Sequence, residues 1–186
     1  TPHRGIHILE SAIRHLETQR DDFEVDIYSS FKIYGWEEQD KQFQELYDRL
    51  GELNSVNYYG TVSNDDIRAA LTKSHILAYP STYVESSCCV AIEAMAAGLL
   101  AVVPNYGALT ETCTDYAWMY NWESDPAVHA QKYAGILNNA IDSYREPALQ
   151  QILKLQTMYY NYFYSWDMRL AQWTSLLKGI DNGFVG

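Results

Sequence analysis

Basic residues are scarce in this chain. Its 186 residues carry 13 Lys and Arg against 24 Asp and Glu, a formal charge of −11. A surface that acidic repels phosphate backbones and anionic lipid at long range, which argues against a nucleic-acid binder or an anionic-membrane protein. Any anionic ligand must be held by local donors. Cysteine is also scarce: there are three, an odd number, and Cys88 and Cys89 are adjacent. That excludes a disulfide framework and a C-x-x-C zinc pattern, and makes a reducing, cytoplasmic setting the expectation. Long apolar runs are absent too. The longest, Cys88 to Val103, is broken by Glu93 and Gly98, well short of the roughly 18 to 20 residues a membrane span needs. Thr1-Pro2-His3-Arg4 has no Met and no apolar signal core, and reads as a cut inside a longer protein. There is no internal repeat, low-complexity tract or obvious linker. What remains is a 47% hydrophobic, 20% charged composition of globular type, long enough for one well-buried domain.

Periodicity then orders the chain. Ile6, Leu9, Ile13 and Leu16 repeat at helical spacing and predict a helix over about 5–20. Glu24 to Tyr28 alternates like a strand, residues 41–50 read as a helix closed by Gly51, and Ser55 to Tyr59 as a strand stopped at Gly60. Ser63 or Asn64 caps a further helix with Asp65 and Asp66 in its first turn. His75 to Tyr79 is an apolar run halted by Pro80. Val90 to Ala97 is a small-residue helix ending at Gly98, and Leu99 to Val103 a buried strand halted by Pro104. A strand at 117–120 and helices near 127–144, 147–164 and 166–177 complete the reading. Alternating helices and strands with short turns specify an α/β fold of Rossmann-like, three-layer type, a parallel sheet covered on both faces.

In such a sheet, ligands bind at the carboxyl ends of the strands. The loop after Tyr79 stands out: Pro80-Ser81-Thr82-Tyr83-Val84-Glu85-Ser86-Ser87-Cys88-Cys89 runs directly into the helix from Val90. Small residues at 86–88 let a ligand approach the first free N–H groups of that helix, a ready anion site. Glu85 precedes the helix and Glu93 lies about two turns inside it. Even an all-helical interval would separate them by only about 12 Å. The pair could flank one extended ligand with hydroxyls at both ends and a double negative charge between, the layout of a nucleoside diphosphate sugar. Spacing by itself carries little, because Glu37 and Glu45 make a second pair eight apart on a solvated stretch.

The stretch Tyr79-Pro80-Ser81…Glu85…Ile92-Glu93-Ala94-Met95-Ala96-Ala97-Gly98 resembles the E-x7-E signature of the retaining family 4 (group 1) glycosyltransferases, enzymes of two-domain GT-B architecture. Four further segments match in order. Arg4-Gly5…Leu9…Ala12 is similar to their K-G-x-x-x-L-x-x-A helix start, and Tyr59-Gly60-Thr61-Val62 to the strand and turn before the base pocket. Asn105 to Glu111 is similar to their Gly-Gly-x-x-Glu loop, and Phe163-Tyr164-Ser165-Trp166-Asp167 to the F-S-W-E that opens their last helix. The resemblance implies that residues 1–186 are the nucleotide-sugar-binding C-terminal half of a GT-B fold. Its helices over about 147–178 would cross back to an N-terminal acceptor domain. It implies Glu85 on the transferred sugar and Glu93 on the ribose hydroxyls. Ser87 and the amides of Cys88, Cys89 and Val90 would face the diphosphate, with Gly60 and Val62 near the base and Arg4 in place of the family's phosphate-binding Lys. The family usually has Phe-Gly where this chain has Ser87-Cys88. No metal or other cofactor is expected, since the family is metal-independent and no D-x-D occurs. The isolated chain is expected to be inactive.

Other candidates fall to simpler accounts. His3 and His7 lack an evident third ligand for a metal. Cys88, beside a helix start, has no assignable His partner and reads as a small buried or ligand-lining residue rather than a nucleophile. His75 reads as a core residue. The aromatic run Tyr159, Tyr160, Tyr162, Phe163, Tyr164, Trp166 and Trp173 reads as core or interface packing, part of it bare in this chain. The alternatives to a transferase are a non-catalytic nucleotide- or partner-binding module of the same fold, or another GT-B enzyme such as a nucleotide-sugar epimerase or a phosphorylase.

Overall fold

A computed structural model describes residues 4–183. Its elements are α1 (Ile6–Leu16), β1 (Val25–Ile27), α2 (Gln44–Gly51), β2 (Val56–Tyr58), α3 (Asn64–Leu71), β3 (Ile76–Ala78), α4 (Cys89–Ala97), β4 (Leu100–Pro104), α5 (Leu109–Cys113), β5 (Trp118–Tyr120), α6 (Pro126–Ser143), α7 (Pro147–Phe163) and α8 (Trp166–Asp181). All strand pairs are parallel. β1 pairs with β2, Val25 opposite Val56, and β3, β4 and β5 form a three-stranded sheet in that order.

All five residues of β4 are buried, and their alternation builds the layers. Leu100 and Val102 pack with Ile6, Leu9 and Ile13 of α1, Ile27 of β1, and Ala130, Tyr133 and Leu137 of α6. Ala101 and Val103 point the other way, into a second cluster with Ala91 and Met95 of α4, Leu109 and Cys113 of α5, and Tyr160 of α7. A strand with both faces covered must be apolar at every position, which is why Leu100 to Val103 is a continuous apolar run.

The expected α/β architecture is present. Several element limits are corrected. α1 stops at Leu16, the last residue of its apolar repeat; Thr18, Gln19 and Arg20 donate to carbonyls of His15 and Leu16 in closing turns. Residues 41–43 belong to a 3-10 segment ahead of α2. α8 runs on to Asp181. α5 is an addition, a five-residue helix too short to show periodicity. His75 is exposed rather than core, with its ring edge-on to Tyr144 at 5.0 Å. Of the aromatic run, Tyr160 is buried and its hydroxyl donates to the Thr112 carbonyl at 2.7 Å. Trp166 and Trp173 are exposed, and α8 buries no residue at all.

α4 is held from behind. Its last carbonyls have no partner within the helix; the Gly98 N–H donates to Met95 at 3.2 Å, the Gln156 side-chain amide of α7 to Met95 and to Leu99 just past the helix at 3.0 and 2.9 Å, and that of Asn161 to Ala96 at 2.9 Å. At the other end of the fold's first half, Ser63 caps α3 in a reciprocal capping box with Asp66.

Candidate functional site

The site begins with two close backbone approaches. Gly5, at φ +77, opens α1 directly on the turn after β3, where a Cβ would fall 1.8 Å from the Pro80 carbonyl oxygen. On the far side, Gly107, at φ +57, lies against Glu85, where a Cβ would meet the Glu85 N and O atoms at 2.8 and 2.9 Å. Only a residue without a side chain fits either position. The Ala108 N–H then donates to the Glu85 carbonyl at 2.8 Å. Three segments distant in sequence, 4–5, 79–85 and 105–108, are thereby brought together.

Their side chains form one network. Arg4 Nη1 donates to the Tyr79 hydroxyl at 2.9 Å and also to Glu85 Oε1. The Tyr79 hydroxyl donates to the same Oε1 at 2.7 Å. Tyr79 and Glu85 are buried, whereas the Arg4 side chain is 43% exposed, its guanidinium 5.5 Å from the Tyr83 ring centroid. Partial burial opposes the Arg4 charge, but the bonds to Glu85 and Tyr79 outweigh it and raise its pKa, so Arg4 is a permanent cation. Burial, followed by the bond to Glu85, raises the Tyr79 phenol, so it stays a neutral donor. Burial pushes the Cys88 thiol up against the opposing Ala91 N–H, which disfavours the thiolate and agrees with an inert role.

α4 starts beside this network. Cys88 is its N-cap, buried, with no side-chain cap, and the first intrahelical bond is Ile92 N–H to the Cys88 carbonyl at 3.1 Å. The N–H groups of Cys89 and Val90 therefore have no carbonyl partner in the helix, and Ser87 and Cys89 are exposed next to them. Glu93 is exposed and lies one turn into α4, not two, because residues 85–88 are not helical. Gly60 and Val62, both half-buried, follow the carboxyl end of β2, where Tyr59 stacks on Tyr28 with centroids 5.0 Å apart. The structure thus joins Arg4 to Glu85 directly. Gly60 and Val62 follow the carboxyl end of β2 and Glu93 lies within α4, none with a described bond to that pair. Tyr79 has no assigned role in the sequence reading, although its place at a strand end just before Pro80-Ser81 is a usable signal. His3 lies outside the described residues, and among those described no group of three His, Cys, Asp or Glu is placed to hold a metal ion. No helix among them is long and apolar enough to cross a membrane.

A parallel α/β layer structure with a charged network and a bare helix start at the strand ends defines a Rossmann-like ligand-binding domain. Comparison with known proteins specifies the class. The profile described as Glycosyl transferases group 1 matches residues 1–148, and the chain belongs to that family. No curated protein matches it in sequence. Among solved structures, a glycosyltransferase from Rickettsia africae aligns with TM-score 0.79 at 18% identity, over 97% of this chain and 45% of its own. HepE from Anabaena in complex with UDP-glucose aligns with TM-score 0.74 at 20% identity, over 96% and 46%. Sucrose-phosphate synthase from Thermosynechococcus elongatus aligns with TM-score 0.73 at 18% identity, over 98% and 44%. The chain thus resembles the GT-B glycosyltransferase domains in fold, and spans less than half the length of these structures.

Proposed function

We propose that this chain is the donor-binding half of a retaining, family 4 glycosyltransferase, which takes its sugar from a nucleoside diphosphate donor. The observation that carries the reading is the Arg4–Tyr79–Glu85 network beside the uncapped start of α4. It places a cation, a buried carboxylate and free backbone N–H groups next to one another. In sugar transfer the bond from the anomeric carbon to the diphosphate oxygen breaks, and the nucleoside diphosphate departs with the electron pair. Fixed donors aimed at that growing charge lower the barrier. Arg4 and the N–H groups around Ser87, Cys88, Cys89 and Val90 take that part, so the reading needs no metal or other cofactor. Glu85 accepts hydrogen bonds from hydroxyls of the transferred sugar. Glu93, exposed on α4, binds the ribose, and Gly60 and Val62 border the base.

The acceptor site belongs to an N-terminal domain outside these residues, against which α7 and α8 would pack, in a protein of the cytoplasm. Titration of the full-length protein with UDP-, GDP- and ADP-sugars tests the reading. One class should bind, and Glu93→Ala should weaken it about 10- to 100-fold, the worth of a charge-assisted hydrogen bond. Binding of none of them would overturn the proposal. Binding without transfer to any acceptor would favour a non-catalytic module.

A further inference from the structure

The sequence reading gives Glu85 and Arg4 separate tasks, one on the sugar and one on the phosphates. The structure ties both to a third group. Tyr79 follows β3, its N–H donates to the Val102 carbonyl at 3.1 Å, and its ring lies in the buried cluster with Cys88 and Ala91. The phenol is therefore fixed by the sheet and by packing on α4, with little rotational freedom to lose on binding. Its hydroxyl accepts from Arg4 Nη1 and donates to Glu85 Oε1. Among the described residues both bonds to Glu85 end on that one oxygen, and none ends on Oε2.

We propose that Tyr79 is a positioning residue of the donor site: it clamps Oε1 of Glu85 so that Oε2 faces the sugar hydroxyls, and holds the Arg4 guanidinium at the adjoining phosphate. This rests on the donor-site reading above. A buried carboxylate bonded through a single mobile cation would swing with that cation when a diphosphate competes for it. A phenol anchored in the core supplies a second donor that a phosphate does not compete for. One side chain thus sets the spacing between the sugar and diphosphate subsites. A small misplacement there acts on the transition state more than on ground-state binding.

A double-mutant cycle with Tyr79→Phe and Glu85→Gln in the full-length protein tests this, read in kcat, in KM for the donor and in Tm. Tyr79→Phe keeps the ring and its packing. It should lower kcat about 10-fold with KM changed less than about 3-fold. In the Glu85→Gln background it should cost only about 3-fold, because the part that runs through that carboxylate is already lost and the hold on Arg4 remains. Independent, multiplicative losses in kcat would overturn the proposal, even with losses in Tm that couple, since the network would then be structural only. An unchanged kcat in Tyr79→Phe would overturn it as well. A wild-type protein that melts cooperatively, with coupled Tm losses in the mutants, yet turns over no donor, would instead overturn the donor-site reading, and this proposal with it.

Discussion

At the scale of residues, the site depends on two positions where a side chain cannot be accommodated. Gly5 and Gly35 have nearly the same backbone, φ +77 and +71, but a Cβ on Gly5 would fall 1.8 Å from the Pro80 carbonyl oxygen while one on Gly35 would meet nothing within 4 Å. The pair separates conformational strain from steric exclusion. Gly35→Ala should cost about 1 kcal/mol, the left-handed penalty alone. Gly5→Ala should cost about 3 kcal/mol or more, because α1 must move off the turn that carries Tyr79 and Glu85. Urea unfolding of both variants measures the difference, and equal costs would refute the close approach as the cause. Arg4, Glu85 and Gly107 were legible in the sequence as parts of motifs. Tyr79 stood in the same motif but without a role, since that role comes from a contact six residues ahead and another 75 residues back, and only the folded chain shows both.

At the scale of elements, three of the five strands were marked by the breakers that end them, Gly60 after β2, Pro80 after β3 and Pro104 as the last residue of β4, while β1 showed itself by alternation. Boundaries were less legible where packing decides them. Leu16 is the last apolar contact of α1 and ends it, whereas α8 continues past its expected end to Asp181. α5 escaped notice because five residues around Leu109 and Cys113 carry no full period. The attachment of α4 was equally invisible, being made by side-chain amides of α7. Gln156 is fully buried and donates to the Met95 carbonyl of α4 and to that of Leu99 just past it. Gln156→Leu nearly conserves volume but removes the amide donor, leaving Met95 its bond from the Gly98 N–H and Leu99 without its side-chain partner, and should destabilise the fold by about 1.5 kcal/mol, the cost of one unpaired buried carbonyl. Chemical denaturation measures it, and a loss below about 0.5 kcal/mol would mean that water replaces the amide. Since α4 is rigid over nine residues, its tether at Met95 and Ala96 also fixes the N–H groups at its start.

At the scale of the whole molecule, the longest regular run of exposed apolar side chains lies along α8, next to the exposed Ile152, Leu155, Met158 and Tyr162 of α7. Trp166, Leu170, Trp173, Leu177 and Ile180 recur at spacings of four, three, four and three, which places them on one stripe of the helix, and all are exposed. A stripe of that length on an isolated chain marks an interaction surface, and its heptad spacing suits a helix or an apolar domain face as partner. In the proposed two-domain protein, that partner is the acceptor domain. The net charge of −11 keeps molecules apart at long range but acts weakly once two apolar stripes meet in physiological salt. The 186-residue chain alone should therefore self-associate, and Trp173→Lys with Leu177→Lys should return it to a monomer. Because α8 buries no residue, the double substitution should leave Tm within about 2 °C, the shift expected of surface changes. Sedimentation velocity over a range of concentrations and a thermal melt measure the two effects. A wild-type chain that stays monomeric at every concentration would show that the stripe is too weak to pair with itself. A large fall in Tm would show instead that α8 stabilises the fold through contacts with α7.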